Sequence, residues 1–131
     1  MIKQDYLIRM IQEIIALIVN AILNKKEIGR KEWAEYDELT QQILGFSTKS
    51  LLNMSTDELI ERYCNESDNM EKIELAAMNM LKLSEDEDIE SNILLKSRLR
   101  QDGLQLLKYV QKKDSAYSLQ REYLIKLLEF S

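Results

Sequence analysis

The chain of 131 residues contains no proline and no histidine, one cysteine and three glycines. Proline fixes φ and lacks an N–H, so it normally punctuates loops and strand edges. Without it, helix can follow helix with little interruption. The missing histidine removes Ser-His-Asp and Cys-His catalysis, and with them the commonest general base at neutral pH. It also removes imidazole zinc sites and the Glu-x-x-His pairs of di-iron carboxylate bundles. Cys64 has no internal disulfide partner, and is expected as a buried, reduced residue of a cytoplasmic protein. Neither a Gly-x-x-x-x-Gly-Lys-Ser/Thr nor a Gly-x-Gly-x-x-Gly string occurs, so nucleotide binding has no support. No cofactor or metal is expected. An enzyme built from this chain would have to work with carboxylates alone, and a non-enzymatic protein is the simpler reading.

Apolar residues make up 45% and charged residues 31%, the balance of a globular domain with a core of its own. The net charge of −5 is unevenly spread. Residues 66–90 sum to −7 and residues 91–131 to +4, so the acidic stretch and the basic tail are expected to face each other or water. An acidic balance disfavours a nucleic-acid partner. The cluster Lys25-Lys26 and Arg30-Lys31 with Trp33 does not reverse that, because Glu27, Glu32, Glu35, Asp37 and Glu38 interleave with it. Asp86, Asp88 and Glu90 have EF-hand spacing. The sixth position is Ser91 where glycine is needed, and the twelfth is Ser97 where glutamate is needed.

Apolar residues recur every third or fourth place along the whole chain, which predicts an all-α fold. One domain, 1–131, is expected, with about six helices joined by short loops and packed as antiparallel hairpins. The tetratricopeptide pattern is not met. The first helix should span about 3–26. Its apolar arc approaches ~200° on a helical wheel, against a little over ~100° for an ordinary surface helix. Arg9, Glu13 and Asn20 interrupt it, so no membrane span is expected. Gly29 is placed to terminate this helix. No signal-peptide pattern is read. A second helix covers 30–44, with Gly45 just after it. Ser47 is expected to cap a short helix.

Ser55 and Glu58 form a capping box for a helix ending near Cys64. A fourth helix covers 68–83, with Ala76 and Ala77 suited to close approach of a neighbour. Ser84 and Glu87 spell a second capping box, which would start a fifth helix running to about Lys113. Gly103 lies on its apolar stripe, either letting another helix backbone come close or breaking the helix. A last helix should start at Ser115 and reach Phe130. It carries one row of Tyr117, Leu124 and Leu128 and another of Leu119, Tyr123, Leu127 and Phe130. Two rows predict a well-buried element.

The string Gln4-Asp5-Tyr6-Leu7-Ile8-Arg9-Met10-Ile11 resembles the opening of an uncharacterised family of small bacterial helical proteins, which begin Gln-Asp-Tyr-x-x-Arg-Met-Ile and continue as an aliphatic helix. The resemblance covers about the first 25 residues. It implies a bacterial, cytoplasmic, all-helical protein and supplies no site. Asp5 and Arg9 are an i, i+4 pair able to support the first turns.

The functional expectation is a domain that works through protein–protein contact, as a homodimer or with another protein. Its contact surface would be the over-wide arc of the first helix, at Tyr6, Met10, Ile14, Leu17 and Val19. The alternative is a scaffold binding a small molecule or peptide in a pocket near Trp33, Tyr36 and Tyr63.

Overall fold

The computed structural model describes residues 4–114 and 118–130. These form six α-helices: α1 (Gln4–Leu23), α2 (Arg30–Leu44), α3 (Thr56–Tyr63), α4 (Asn69–Ser84), α5 (Ile93–Lys113) and α6 (Leu119–Glu129). Two 3-10 segments join them, Thr48–Asn53 between α2 and α3 and Glu87–Ile89 between α4 and α5. No strand is found among the described residues. The fold is an all-α bundle.

α4 is the centre. Residues 75–81 are buried without a break, so every face of two turns is covered. A helix presenting a single stripe would bury only every third or fourth residue. α1, α3 and α5 all pack on α4, with the 3-10 segment and α2 completing the shell. α1 takes the ordinary role. Ile11, Ile14, Ile15, Ile18 and Val19 are buried at i, i+3, i+4, i+7 and i+8, and Arg9, Gln12, Glu13, Ala16 and Asn20 are exposed. Met10, Leu17 and Ala21 are half-buried on its flank. Burial on every side is thus found in the fourth helix, while the wide apolar arc of the first is only partly buried. α1 is long and apolar enough, by length and composition, to cross a membrane, with a mean hydropathy of 1.8 over Asp5–Leu23. Its charged interruptions are too few to exclude that on composition. In this fold its most apolar face meets α4.

The ends of the helices show which local signals dominate. At Ser55 the capping box forms in full: the hydroxyl accepts from Glu58 N–H at 3.1 Å, and the Glu58 carboxylate accepts from Ser55 N–H at 3.5 Å. α2 ends at Gly45 with φ 90°, a left-handed conformation that suits glycine, and Gly45 N–H donates to Gln41 O. At the end of α1 the left-handed residue is Lys25, with φ 50°, and Lys26 N–H closes onto Ala21 O. Gly29 instead precedes α2 in an extended conformation. Ser47 makes no side-chain cap. The box expected at Ser84 is absent because Ser84 is the buried last residue of α4 and its hydroxyl donates to Leu81 O. The acidic run after it forms the second 3-10 segment, and Asn92 caps α5 by accepting from Leu95 N–H at 3.1 Å. The expected start at Ser115 lies outside the described residues. α6 is capped by Ser118, which accepts from Arg121 N–H at 3.1 Å. Cys64, expected in the core, is exposed.

α5 runs unbroken through Gly103, which lies against Ala77 and Leu81 of α4. A Cβ at this position would lie 3.0 Å from Leu81 Cγ and Cδ2 and 3.2 Å from Ala77 O. Leu81 is buried and Ala77 O is backbone, so neither yields easily. Alanine would gain about 1 kcal/mol of helix propensity. Overpacking a tight contact costs about 1–3 kcal/mol. We expect Gly103→Ala to destabilise the protein in urea titration and Gly103→Val to do so more strongly. A stabilised Gly103→Ala variant would show that α4 and α5 can separate at little cost.

Candidate interaction surface

α6 is fixed from inside by charge as well as by apolar contact. Leu124 and Ile125 are buried, and the Arg121 side chain, between Glu74 of α4 and Asp114 at the end of α5, is only 4% exposed. Its guanidinium pairs with Glu74 of α4 at 2.9 Å and with Asp114, just past α5, at 3.2 Å. A buried guanidinium is tolerated only when carboxylates surround it. The triad therefore dictates the rotation of α6 about its own axis. It is also one place where the acidic middle of the chain meets the basic tail. Lys108 of α5 and Glu129 of α6 add an outer pair at 2.8 Å.

That rotation decides what faces outward. Leu119, Tyr123, Leu127 and Phe130 recur at i, i+4, i+8 and i+11, and are 73, 60, 42 and 86% exposed. The second apolar row of this helix, expected in the core, is therefore its solvent face. The reason is local: Arg121, Leu124 and Ile125 hold the opposite side, and the described part of the chain provides nothing to cover this one. Exposed single apolar residues are common, but four in a row along one helix make this side a candidate contact face. Glu122 and Lys126 flank the row on one side, 3.8 Å apart.

The surface proposed on α1 is only partly available. Ile14 and Val19 are in the core, at 1 and 0% exposure, because they lie on the stripe that meets α4. Tyr6 is exposed, while Met10 and Leu17 are half-buried. The aromatic residues proposed for a pocket have structural partners. Tyr63 is buried and its hydroxyl donates to Leu44 O at 2.6 Å. That carbonyl belongs to the last turn of α2, which has no helical N–H to receive. Burial pushes the Tyr63 hydroxyl up to about 12, keeping it a donor. Trp33 is half-buried with the Lys82 ammonium 4.1 Å from its ring centre. Tyr36 is half-buried, and its carbonyl accepts from the Thr40 hydroxyl at 2.7 Å. Tyr63 thus ties α3 to the end of α2, and Trp33 sets α2 beside Lys82 of α4.

Other polar groups act in the same structural way. Arg98 of α5 donates to Leu51 O at 3.2 Å and Leu52 O at 2.6 Å, tying α5 to the first 3-10 segment. Thr48 donates to Asp37 at 2.8 Å and ties that segment to α2. Among the described residues no three metal-ligating side chains gather. Comparison with family models, curated proteins and solved structures finds no match for this chain.

Burial raises the Glu74 carboxyl above the ordinary glutamate range, an effect only partly offset by Arg121. The folded protein thus holds this proton more tightly than the unfolded chain. The linked stability is fully present below the ordinary glutamate range and is lost as pH rises through the raised folded value. We expect the unfolding free energy of the wild type, measured relative to Glu74→Gln, to fall as pH is raised across that window in denaturant titrations. A difference that stays flat or rises would mean that Glu74 is solvated or dominated by Arg121. Replacing Arg121 by Met should be far more damaging, by about 3 kcal/mol or more, because it strands a buried carboxylate.

Proposed function

We propose that this chain is a non-enzymatic interaction domain that associates with a second copy of itself through α6. The supporting observation is the exposed row Leu119, Tyr123, Leu127 and Phe130. A two-fold contact requires a surface that complements itself. This row is nearly symmetric about residue 125. With two α6 helices antiparallel, Tyr123 of one copy lies opposite Leu127 of the other, and Leu119 opposite Phe130. Lys126 then lies beside Glu122 of the second copy, turning a pair within the helix into a pair between helices. Tyrosine and phenylalanine are also residues that contribute strongly at protein contacts. α1 serves as a core helix in this reading, and the resemblance of residues 4–11 to small bacterial helical proteins agrees with a cytoplasmic setting.

Light scattering over a range of protein concentrations tests the proposal. The wild type should weigh as a dimer, and Tyr123→Asp with Leu127→Asp should weigh as a monomer with an unchanged helical circular-dichroism signal. A wild type that stays monomeric at high concentration would overturn the reading. If Tyr6→Asp dissociates the dimer and the α6 variant does not, the interface lies on the flank of α1.

A further inference from the structure

α6 is held by little of the core. Among the described residues the buried apolar cluster draws on α6 at Leu124 and Ile125 alone, while α1, α4 and α5 supply most of it. α6 packs chiefly on α5, and Arg121 reaches Glu74 of α4. Undocking this helix would uncover those two side chains and the side of α5 beneath them. It would leave the α4–α5 seam and the packing of α1 on α4 in place. A local opening of this kind costs less than global unfolding, because few buried apolar contacts break. The ionic part of the seat works differently. The Arg121 side chain is 4% exposed, with Glu74 at 2.9 Å and Asp114 at 3.2 Å. Both carboxylates stand outside α6, one on α4 and one just past α5. Opening α6 therefore breaks both pairs together. The outer pair of Lys108 and Glu129 is exposed and contributes little.

We infer that α6 opens as a unit from an otherwise folded bundle, and that the cluster of Glu74, Arg121 and Asp114 is the latch that sets how often it does so. A buried guanidinium is stable only among its carboxylates, so the latch acts through a few atoms at one point of the helix. The outward row Leu119, Tyr123, Leu127 and Phe130 sits on the same helix. That row is presented as a fixed surface only while the latch is closed. For its consequence the inference rests on the self-association proposed above. A second copy that binds docked α6 holds it shut, because a ligand stabilises the state it binds. A chain whose α6 is mostly open binds the second copy more weakly, in proportion to the closed fraction. The latch thus regulates the contact face from the opposite side of the helix.

Hydrogen–deuterium exchange on the full chain, read by mass spectrometry of peptic fragments, tests the latch. Amides of α6 should exchange at least about tenfold faster than those of α1 and α4 in the wild type. Asp114→Ala removes one partner of a buried charge and should speed exchange in α6 about tenfold further, with α1 and α4 unchanged. Arg121→Met should speed it on the order of 100-fold, again in α6 alone. If that variant does not fold, Asp114→Ala decides by itself. The inference is overturned if wild-type α6 exchanges as slowly as α4, if Asp114→Ala leaves α6 unchanged, or if it speeds α4 as much as α6. The coupling to a second copy has its own readout. Dilution of the wild type should speed exchange in α6 and leave α4 unchanged, and Asp114→Ala should dissociate at higher concentration than the wild type in light scattering. A wild type that is monomeric throughout, with α6 still responding to Asp114→Ala, would overturn the self-association and leave the latch in place.

Discussion

The structure depends on the complete burial of residues 75–81, the middle of α4. A helix enclosed on all sides has to satisfy its polar residues internally, and this one does. Asn79 donates to Leu75 O at 2.9 Å, and the Ser84 hydroxyl donates to Leu81 O. Glu74, nearer the edge, takes Arg121. Each bond uses a group on α4 itself or reaches the one helix that closes the bundle late in the chain. The lack of a side chain at Gly103 allows a tight contact with Ala77 and Leu81 across the α4–α5 seam. Side-chain volume at that seam is thus tied to backbone position, as expected of an interior packed to crystal-like density.

The rest of the fold arranges itself around this axis by capping carbonyls from outside the helices that own them. Tyr63 of α3 closes the last turn of α2, and Arg98 of α5 closes the first 3-10 segment. Both bonds link elements far apart in sequence, and both satisfy acceptors that secondary structure leaves open. In this bundle the aromatic and arginine side chains that could have formed a pocket act as fasteners. Tyr63 and Trp33 thus each have a partner within the bundle.

Much of this was legible in the sequence where the signal was local. Ser55 with Glu58 and Gly45 after α2 each imply one geometry, because capping involves few atoms, whereas Gly103 on an apolar stripe left close approach and a helix break both open. Rows of apolar residues say less. Leu75, Ala76 and Met78 on the second side of the fourth helix were the sign of a central element, but the breadth of the first helix concealed it. Leu119, Tyr123, Leu127 and Phe130 gave the same kind of second row on the last helix, with the opposite outcome. Periodicity tells which residues share a face and leaves open what lies opposite. Ser84 failed as a cap for a related reason: the spacing to Glu87 was right, yet a buried hydroxyl already had the Leu81 carbonyl within reach.

The contrast between the two second rows bears on function. α4 needs both of its rows, since removing either would open a void in the core. α6 needs only one, because Leu124, Ile125 and the Arg121 triad already seat it. Nothing in the stability of the described fold calls for leucine, tyrosine, leucine and phenylalanine on its outer side. Polar residues there would keep the helix and improve solubility. The proposed contact through α6 would account for the chemistry of that row.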